Sequence, residues 1–443
     1  MVSMVEAAVV SRRSNFRWVV LGLIFILYTI ASADRANIGF ALPFIRKDFA
    51  MSNTEAGALL SLFLWGYALI QIPSGFATSG LGVRKLFSGA VILTSVFTGL
   101  MGTATSLFAL EAYRFGLGVA EGPLPIGIST TINNWFAAKE KGTASGIFLS
   151  SVKFGPVIVP PICAVIVSVW SWREIFFIFG IPGVFLGALW YFLVPDRPAD
   201  SRFCSQQEVD HIGQKPELAS AALVTPGRSF GALDTLIRAK QVKLLDTTRG
   251  VFGSWNIWGC ALGYGFQLSI SNMLLAWIPT YLLTVKKFSV MGTGFIAAAP
   301  WVGAVAGNIL GGWLSDRLLD GRRKPGMLFS ALLTAGTMYA LINSPADCLQ
   351  YGLLLFATGL LLSIGFSAYM AYPMGLTGKR AFPIASALVN TGGQVGGACA
   401  PLVTGLLLDN YGWTLVFLFM SIGSLLSFIL VASIDEPVGN TAS

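Results

Sequence analysis

Twelve times along its 443 residues the chain stays apolar for close to the roughly 20 positions that a helix needs to cross a bilayer, and each run ends at a short polar or Gly/Pro break. No single water-soluble core can absorb so many apolar helices. In lipid every backbone N–H and C=O must find its partner inside the spanning segment. The runs are therefore read as helices, over about 17–45, 54–78, 85–104, 107–134, 142–169, 173–194, 250–284, 290–315, 325–344, 347–376, 382–408 and 412–434. Composition points the same way: 54% of residues are hydrophobic, 11% are charged and the mean hydropathy is +0.71, beyond the range of soluble domains. The expected fold is all-α and integral to the membrane, with twelve spans in two six-helix halves.

Basic residues gather on the cytoplasmic side of membrane proteins. With the N-terminus inside, that side holds Arg12, Arg13, Arg17, Arg84, Lys85, Lys139, Lys141, the Lys and Arg of segment 195–249, Arg317, Arg322, Arg323, Lys324, Lys379 and Arg380. The opposite side holds only Arg46, Lys47, Arg173, Lys286 and Lys287. Both termini are expected in the cytoplasm of a multi-pass inner-membrane protein, and the net charge of +8 then reports topology. Spread over membrane-facing loops, these residues make no nucleic-acid footprint. The first 18 residues lack a small-residue cleavage site after a short apolar core, so the first helix is expected to be retained. The five cysteines are scattered and His211 stands alone in a loop; no metal or cofactor is expected. An intramembrane enzyme would need a nucleophile with a base, or a metal set, and neither pattern occurs. A monomer is expected.

The chain divides at 195–249, a polar segment between an N-terminal half (1–194) and a C-terminal half (250–443). Within it, Ser205 followed by Glu208 has the spacing to cap a short surface helix. A weak internal repeat supports the division: "IQIPSGFATSGLGVRK" at 70–85 aligns with "GNILGGWLSDRLLDGRRK" at 307–324, matching Gly75 to Gly312 and, after one inserted residue, Arg84 to Arg322. Parallel halves of six helices suggest a transporter with its site between them near the midplane. The second copy carries Asp316 and Arg317 where the first has Ser79 and Gly80. That pair reads either as a gating latch or as part of a tight glycine-bearing helix contact, with Arg322 to Lys324 as ordinary loop cations.

Charges inside the spans are few. A charge at the centre of a membrane helix costs about 3 kcal/mol on insertion scales, so it usually faces a bundle interior or a watery cavity. "TIASADRANIGFALPFI" places Asp34 and Arg35 in the first span, and "EAYRFGLGVAEGPLP" places Arg114 and Glu121 in the fourth. Seven residues apart, Arg114 and Glu121 share one helix face at about 10 Å, with Gly118 between them leaving room. One cavity could hold two guanidiniums and two carboxylates. A structural lock of mutually neutralising charges is the alternative, but buried ion pairs are weak stabilisers. Glu111 lies closer to the interface and reads as a surface partner. Lys153, in the fifth span, is either a third anion contact or a packing partner of a cavity carboxylate.

Several stretches resemble the anion:cation symporter branch of the major facilitator superfamily: "ADRANIGFALPFI", "FLWGYALIQIPSG", "RFGLGVAEGPLP" with "NNWFAAKEKGTASGIF", and "ALVNTGGQVGGACAPLVTGLLLDNYGW". That branch includes bacterial galactonate, glucarate and hexuronate transporters and the vesicular glutamate transporters. The resemblance implies a proton-coupled symporter that imports a sugar acid by alternating access. It implies that Arg35 and Arg114 bind the substrate carboxylate and that Asp34 and Glu121 carry the coupling protons. Tyr67 and Asn390 match polar positions facing substrate; their plainer reading is helix packing. Two departures bear on the ligand: Ser32 replaces a frequent tyrosine, and Lys153 falls where the branch is usually uncharged. A third cation would suit a dicarboxylate, so a dicarboxylate or aromatic-acid symporter is the alternative, and a non-transporting sensor on the same scaffold is a second one.

Overall fold

A computed structural model describes residues 14–137, 140–213, 230–344, 347–378 and 381–441. Of the basic residues used for topology, Arg12, Arg13, Lys139, Lys215, Arg228, Lys379 and Arg380 lie outside the described residues.

The first half runs α1 (Phe16–Phe49), α2 (Asn53–Leu81), α3 (Val83–Gly102), α4 (Leu107–Glu121), α5 (Leu124–Trp135), α6 (Lys141–Val169) and α7 (Trp172–Leu193). Short elements follow: α8 (Gln206–Gly213), α9 (Ala232–Leu236), β1 (Ala239–Lys243) and α10 (Thr248–Gly253). The rest is α11 (Trp255–Thr284), α12 (Val290–Trp313), α13 (Lys324–Ala340), α14 (Cys348–Ile364), α15 (Phe366–Leu376), α16 (Phe382–Asn410), α17 (Trp413–Ser433) and β2 (Glu436–Thr441). Because α4 continues into α5 after Gly122-Pro123, and α14 into α15 after Gly365, the long helices form twelve rods among the described residues. Their ends agree closely with the spans expected from the apolar runs.

Local chemistry sets these limits. Ser52 and Ser171 begin α2 and α7 as complete capping boxes with Glu55 and Glu174. Gly82 (φ +79°) and Gly412 (φ +81°) turn the chain sharply between consecutive rods, a left-handed conformation that glycine adopts without steric cost. Eight helical stretches among the described residues are long and apolar enough to cross a membrane by length and composition. The rods outside that set are α2, α4–α5, α11 and α16. Of these, α2, α11 and α16 pack against the opposite half and carry interior polar residues such as Gln71, Gln267, Asn272 and Asn390.

The helix pairings repeat. In the first half α1 packs on α6, α2 on α4 and α3 on α7; in the second α11 packs on α16, α12 on α14 and α13 on α17. Across the middle, α1 meets α11, α2 meets α16 and α6 meets α12. These crossings are tight at one end of the bundle. A Cβ on Gly39 would lie 2.4 Å from the Leu275 carbonyl oxygen, one on Gly57 2.4 Å from that of Pro401, and one on Gly405 2.2 Å from that of Asn53. Buried Ile38, Phe63 and Val159 of the first half share a hydrophobic cluster with Ala276 and Trp277 of the second. At the end that bears the termini the clusters stay separate: Val20, Phe87 and Trp135 belong to one, and Ile257, Tyr372 and Val389 to another. The bundle is therefore closed at the end of the 49–53 turn and parted at the end of the termini.

Two expectations for that parted end need correction. A Cβ on Gly75 or Gly312 would meet nothing within 4 Å, so neither glycine makes the tight helix contact read from the repeat. Arg322 and Lys324 are not solvated loop cations. Arg322 pairs with Asp234 at 2.7 Å, and fully buried Lys324 donates to the carbonyls of Ile237, Ala432 and Ile434. The Ser205 hydroxyl accepts from the Glu208 amide at 3.3 Å and caps the short α8 as its spacing suggests, while the fully buried Glu208 side chain accepts from the Phe16 and Arg17 amides and so also caps α1 from outside.

Candidate binding site

Arg35 points from α1 toward α4, where its Nη2 meets Glu121 Oε1 at 2.6 Å. Its guanidinium also lies 5.2 Å from the Phe63 ring and 5.0 Å from the Tyr67 ring of α2. Arg114, two turns before Glu121 on α4, lies 4.9 Å from the same Phe63 ring and donates from Nη1 to the backbone carbonyl of Asp34 at 3.2 Å. Both arginines line one recess together with Leu60, Phe63 and Leu64 of α2, Asn272, Leu275 and Ala276 of α11, and Pro401 of α16. The recess thus draws on both halves and sits beneath the closed end. Glu121 is fully buried, and its Oε2, with the Nε atoms of Arg35 and Arg114, has no hydrogen-bond partner among the described residues. Buried polar atoms left unmatched are costly, so this cluster has unspent capacity for a polar ligand.

The fourth charge sits elsewhere. Asp34 is 2% exposed and turns away from the recess: Asn37 Nδ2 donates to its Oδ1 at 3.0 Å, and the Thr98 hydroxyl of α3 contacts its Oδ2 at 2.7 Å. The expected chamber of two guanidiniums and two carboxylates is three-membered here, with Asp34 reaching Arg114 through its main chain. The reason is helical: residues 34 and 35 are 100° apart, so adjacent side chains cannot share a direction. Gly118 also differs from expectation. A Cβ there would sit 2.1 Å from the Phe63 carbonyl oxygen, so the glycine admits the backbone of α2 and leaves no ligand space.

Lys153 of α6 reaches across to the second half, its Nζ 5.6 Å from the Trp301 ring and 5.1 Å from the Phe366 ring. Among the described residues it forms no ion pair with a cavity carboxylate, Glu121 being paired with Arg35. Tyr67 is buried with its ring toward Arg35. Asn390 is half-buried on α16 and is not among the residues that line the recess. Arg317 is exposed in a π-helical turn, Leu314–Leu318; the side chain of Asp316 lies outside the described residues. Ser32 is buried at the α1–α6 crossing, where its hydroxyl donates to the Thr29 carbonyl at 2.9 Å and a Cβ on Gly155 would approach it to 2.2 Å. A tyrosine would not fit at this crossing. The residues that sequence reasoning missed are Phe63 and Asn272. Asn272 was findable as an amide inside an apolar span; nothing in the sequence singles out one phenylalanine among 32.

Matching sets of six rods around an ion-paired recess define a multi-pass membrane transport protein. A family model described as Major Facilitator Superfamily matches residues 24–343 and 287–442, and the chain belongs to that family of transporters, not to the enzymes. A probable sulfoacetate transporter of Cupriavidus necator is 28% identical over 440 residues, covering 96% of this chain and 97% of its own. The D-galactonate transporter of Escherichia coli O6:H1 is 29% identical over 446 residues, with 98% and 99% covered. Among solved structures, a bacterial homologue of the human lysosomal transporter Spinster, inward-facing and unoccupied, superposes with a TM-score of 0.75 at 16% identity over 94% of this chain and 97% of that one. A D-xylose-proton symporter superposes with a TM-score of 0.71 at 15% identity, covering 94% and 97%.

Proposed function

We propose that this protein is a proton-coupled symporter that imports a small organic anion, a sugar acid in the first instance, by alternating access. The observation that carries the reading is the recess between the halves, where Arg35 is ion-paired to a fully buried glutamate and Arg114 has no carboxylate partner. Relatives named for galactonate and sulfoacetate transport support an anionic cargo. In this reading 1–194 and 250–443 are the moving halves and 195–249 joins them. Both termini face the cytoplasm across the inner membrane, and the conformation described above is open inward.

Arg35 and Arg114 hold the substrate carboxylate, with Tyr67 and Asn390 as further polar contacts. A proton on Glu121 releases Arg35 from its 2.6 Å pair, and an organic anion takes the vacated place. Loss of that proton to the cytoplasm restores the carboxylate, which displaces the substrate. Asp34 is the second proton carrier. The Thr98 hydroxyl has one proton for two neighbours, Asp34 Oδ2 at 2.7 Å and the Thr94 carbonyl at 3.0 Å, so a protonated Asp34 would complete both contacts. Asp316 and Arg317, at the parted end, are assigned to gating. Uptake of labelled sugar acids, dicarboxylates and aromatic acids into proteoliposomes, with and without an inward proton gradient, tests the scheme. Gradient-driven accumulation of an acid is expected; uptake indifferent to the gradient would remove symport.

A further inference from the structure

We infer that the chamber is built for small dianions, molecules with an acid group at each of two ends, and that Lys153 receives the second acid group. The inference rests on the organic-anion reading above and narrows it. Lys153 lies in the middle of α6, next to the crossing where Gly155 packs against Thr29, Ser32 and Ala33 of α1, one turn from Arg35. From there its side chain extends over Trp301 and Phe366 of the second half, so it belongs to the space between the halves. It is half-buried, makes no hydrogen bond or ion pair among the described residues, and is close enough to Arg35 for their charges to repel. An ammonium in mid-membrane is costly, and ring faces return only part of that cost. Arg114 is the other interior cation without a carboxylate, held by a main-chain oxygen and a ring.

Charge counting leads to the same class of ligand. Three interior cations, Arg35, Arg114 and Lys153, face two interior carboxyls, Asp34 and Glu121. With a proton on Glu121 the excess is two positive charges, and with a second proton on Asp34 it is three; a dianion lowers either excess by twice as much as a monoanion does. One acid group engages the arginines, and the other, carboxylate or sulfonate, engages Lys153.

The test compares glucarate with gluconate, which share a six-carbon chain and differ in having two acid groups or one, in binding and uptake by the full-length protein in proteoliposomes. The wild type should bind glucarate at least about tenfold more tightly. Lys153→Met should weaken glucarate by about 30-fold, the low end for loss of a buried charge partner, and leave gluconate within twofold. Lys153→Arg should keep the preference. Gluconate binding by Lys153→Met doubles as the check that the variant folds. Equal affinity of the wild type for both acids overturns the inference and leaves the organic-anion reading standing. The inference also falls if Lys153→Met weakens both acids alike, as a packing role would require, or weakens neither. If the wild type binds no acid of any kind, the organic-anion reading falls and the dianion inference with it.

Discussion

Arg35 and Arg114 differ in what they touch, and that difference predicts how their variants fail. Arg114 has a ring and a main-chain oxygen as partners, so removing it strands no carboxylate while taking away a cation that faces the recess. Arg114→Ala should fold and lose about 30-fold or more in substrate affinity, measured by equilibrium binding. Glu121→Gln removes a titratable group and keeps the side-chain shape, so counterflow exchange should persist while accumulation against a proton gradient is lost. Normal accumulation by Glu121→Gln would end its role in coupling. The charges themselves were legible in the sequence, because so few occur in spans this apolar. Their directions were not, since one helical step turns Asp34 toward Thr98 and Arg35 toward Glu121.

Close-packed glycine faces join the helices that form the walls. On α12, Gly303, Gly307 and Gly311 recur every four residues, and a Cβ on each would fall within 2.2 Å of the carbonyl oxygens of Phe356, Leu360 and Ile364 on α14. Small residues at this spacing let membrane helices approach backbone to backbone. Gly307→Ala should destabilise the protein by about 1–3 kcal/mol through overpacking, read as a lower thermal midpoint in detergent. Gly312→Ala, one position off that face and in open space, should be neutral or slightly stabilising, since alanine is the better helix former. The α2–α4 pair in the first half is built likewise, with Gly118 against Phe63. In the second copy of the sequence repeat the stretch that carries Asp316 and Arg317 forms a π-helical turn, Leu314–Leu318. The linker pieces are anchored with similar economy. Arg17 binds Glu140 at 3.0 Å and Glu208 at 2.9 Å, and His211 adds a 3.3 Å contact to Glu140. Burial opposes it, yet the hydrogen bonds and charge of Arg17 hold the Glu140 carboxyl below its ordinary value of 4.5; against the same opposition, Ser14 and Arg17 hold Glu208 down. Depressed carboxyls stabilise the docked α8 fully above pH 4.5 and lose that contribution as pH falls through their lower folded-state values. Limited proteolysis of the 195–213 stretch should therefore be flat near neutrality and accelerate only in strong acid.

The two ends of the bundle are held by unequal means, and this asymmetry bears on how the whole molecule moves. Besides its glycine contacts, the closed end has one polar clasp between halves among the described residues. Asp409, at the end of α16, accepts from the amides and side chains of Asn53 and Thr54 at 2.6–3.0 Å, capping the start of α2. Burial works against ionisation, but the donors from Thr54 and Asn53 pull its pKa down to about 2. The clasp is thus complete above the ordinary value of 3.8 and weakens as pH falls toward 2, so protons near neutral pH do not open it. Asp409→Ala should remove a cap worth about 1 kcal/mol and raise the population opened at this end about fivefold. Accessibility of a cysteine placed at Leu60, which lines the recess beneath this end, to a membrane-impermeant thiol reagent would report it, and unchanged labelling would show that the apolar contacts alone hold the closure. The apolar runs were enough to specify the number of rods and their limits, because a bilayer makes every spanning segment solve its backbone hydrogen bonding alone. Which rods meet, which end is shut, and where α8 and the strands dock required coordinates, because those contacts are glycine-to-carbonyl approaches and single carboxylates distant in sequence, which carry no periodic signal. The same holds at the binding recess: membrane energetics singled out its charges, and only the packing of α1 against α2, α3 and α4 decided that Glu121 would face Arg35 and that Asp34 would not.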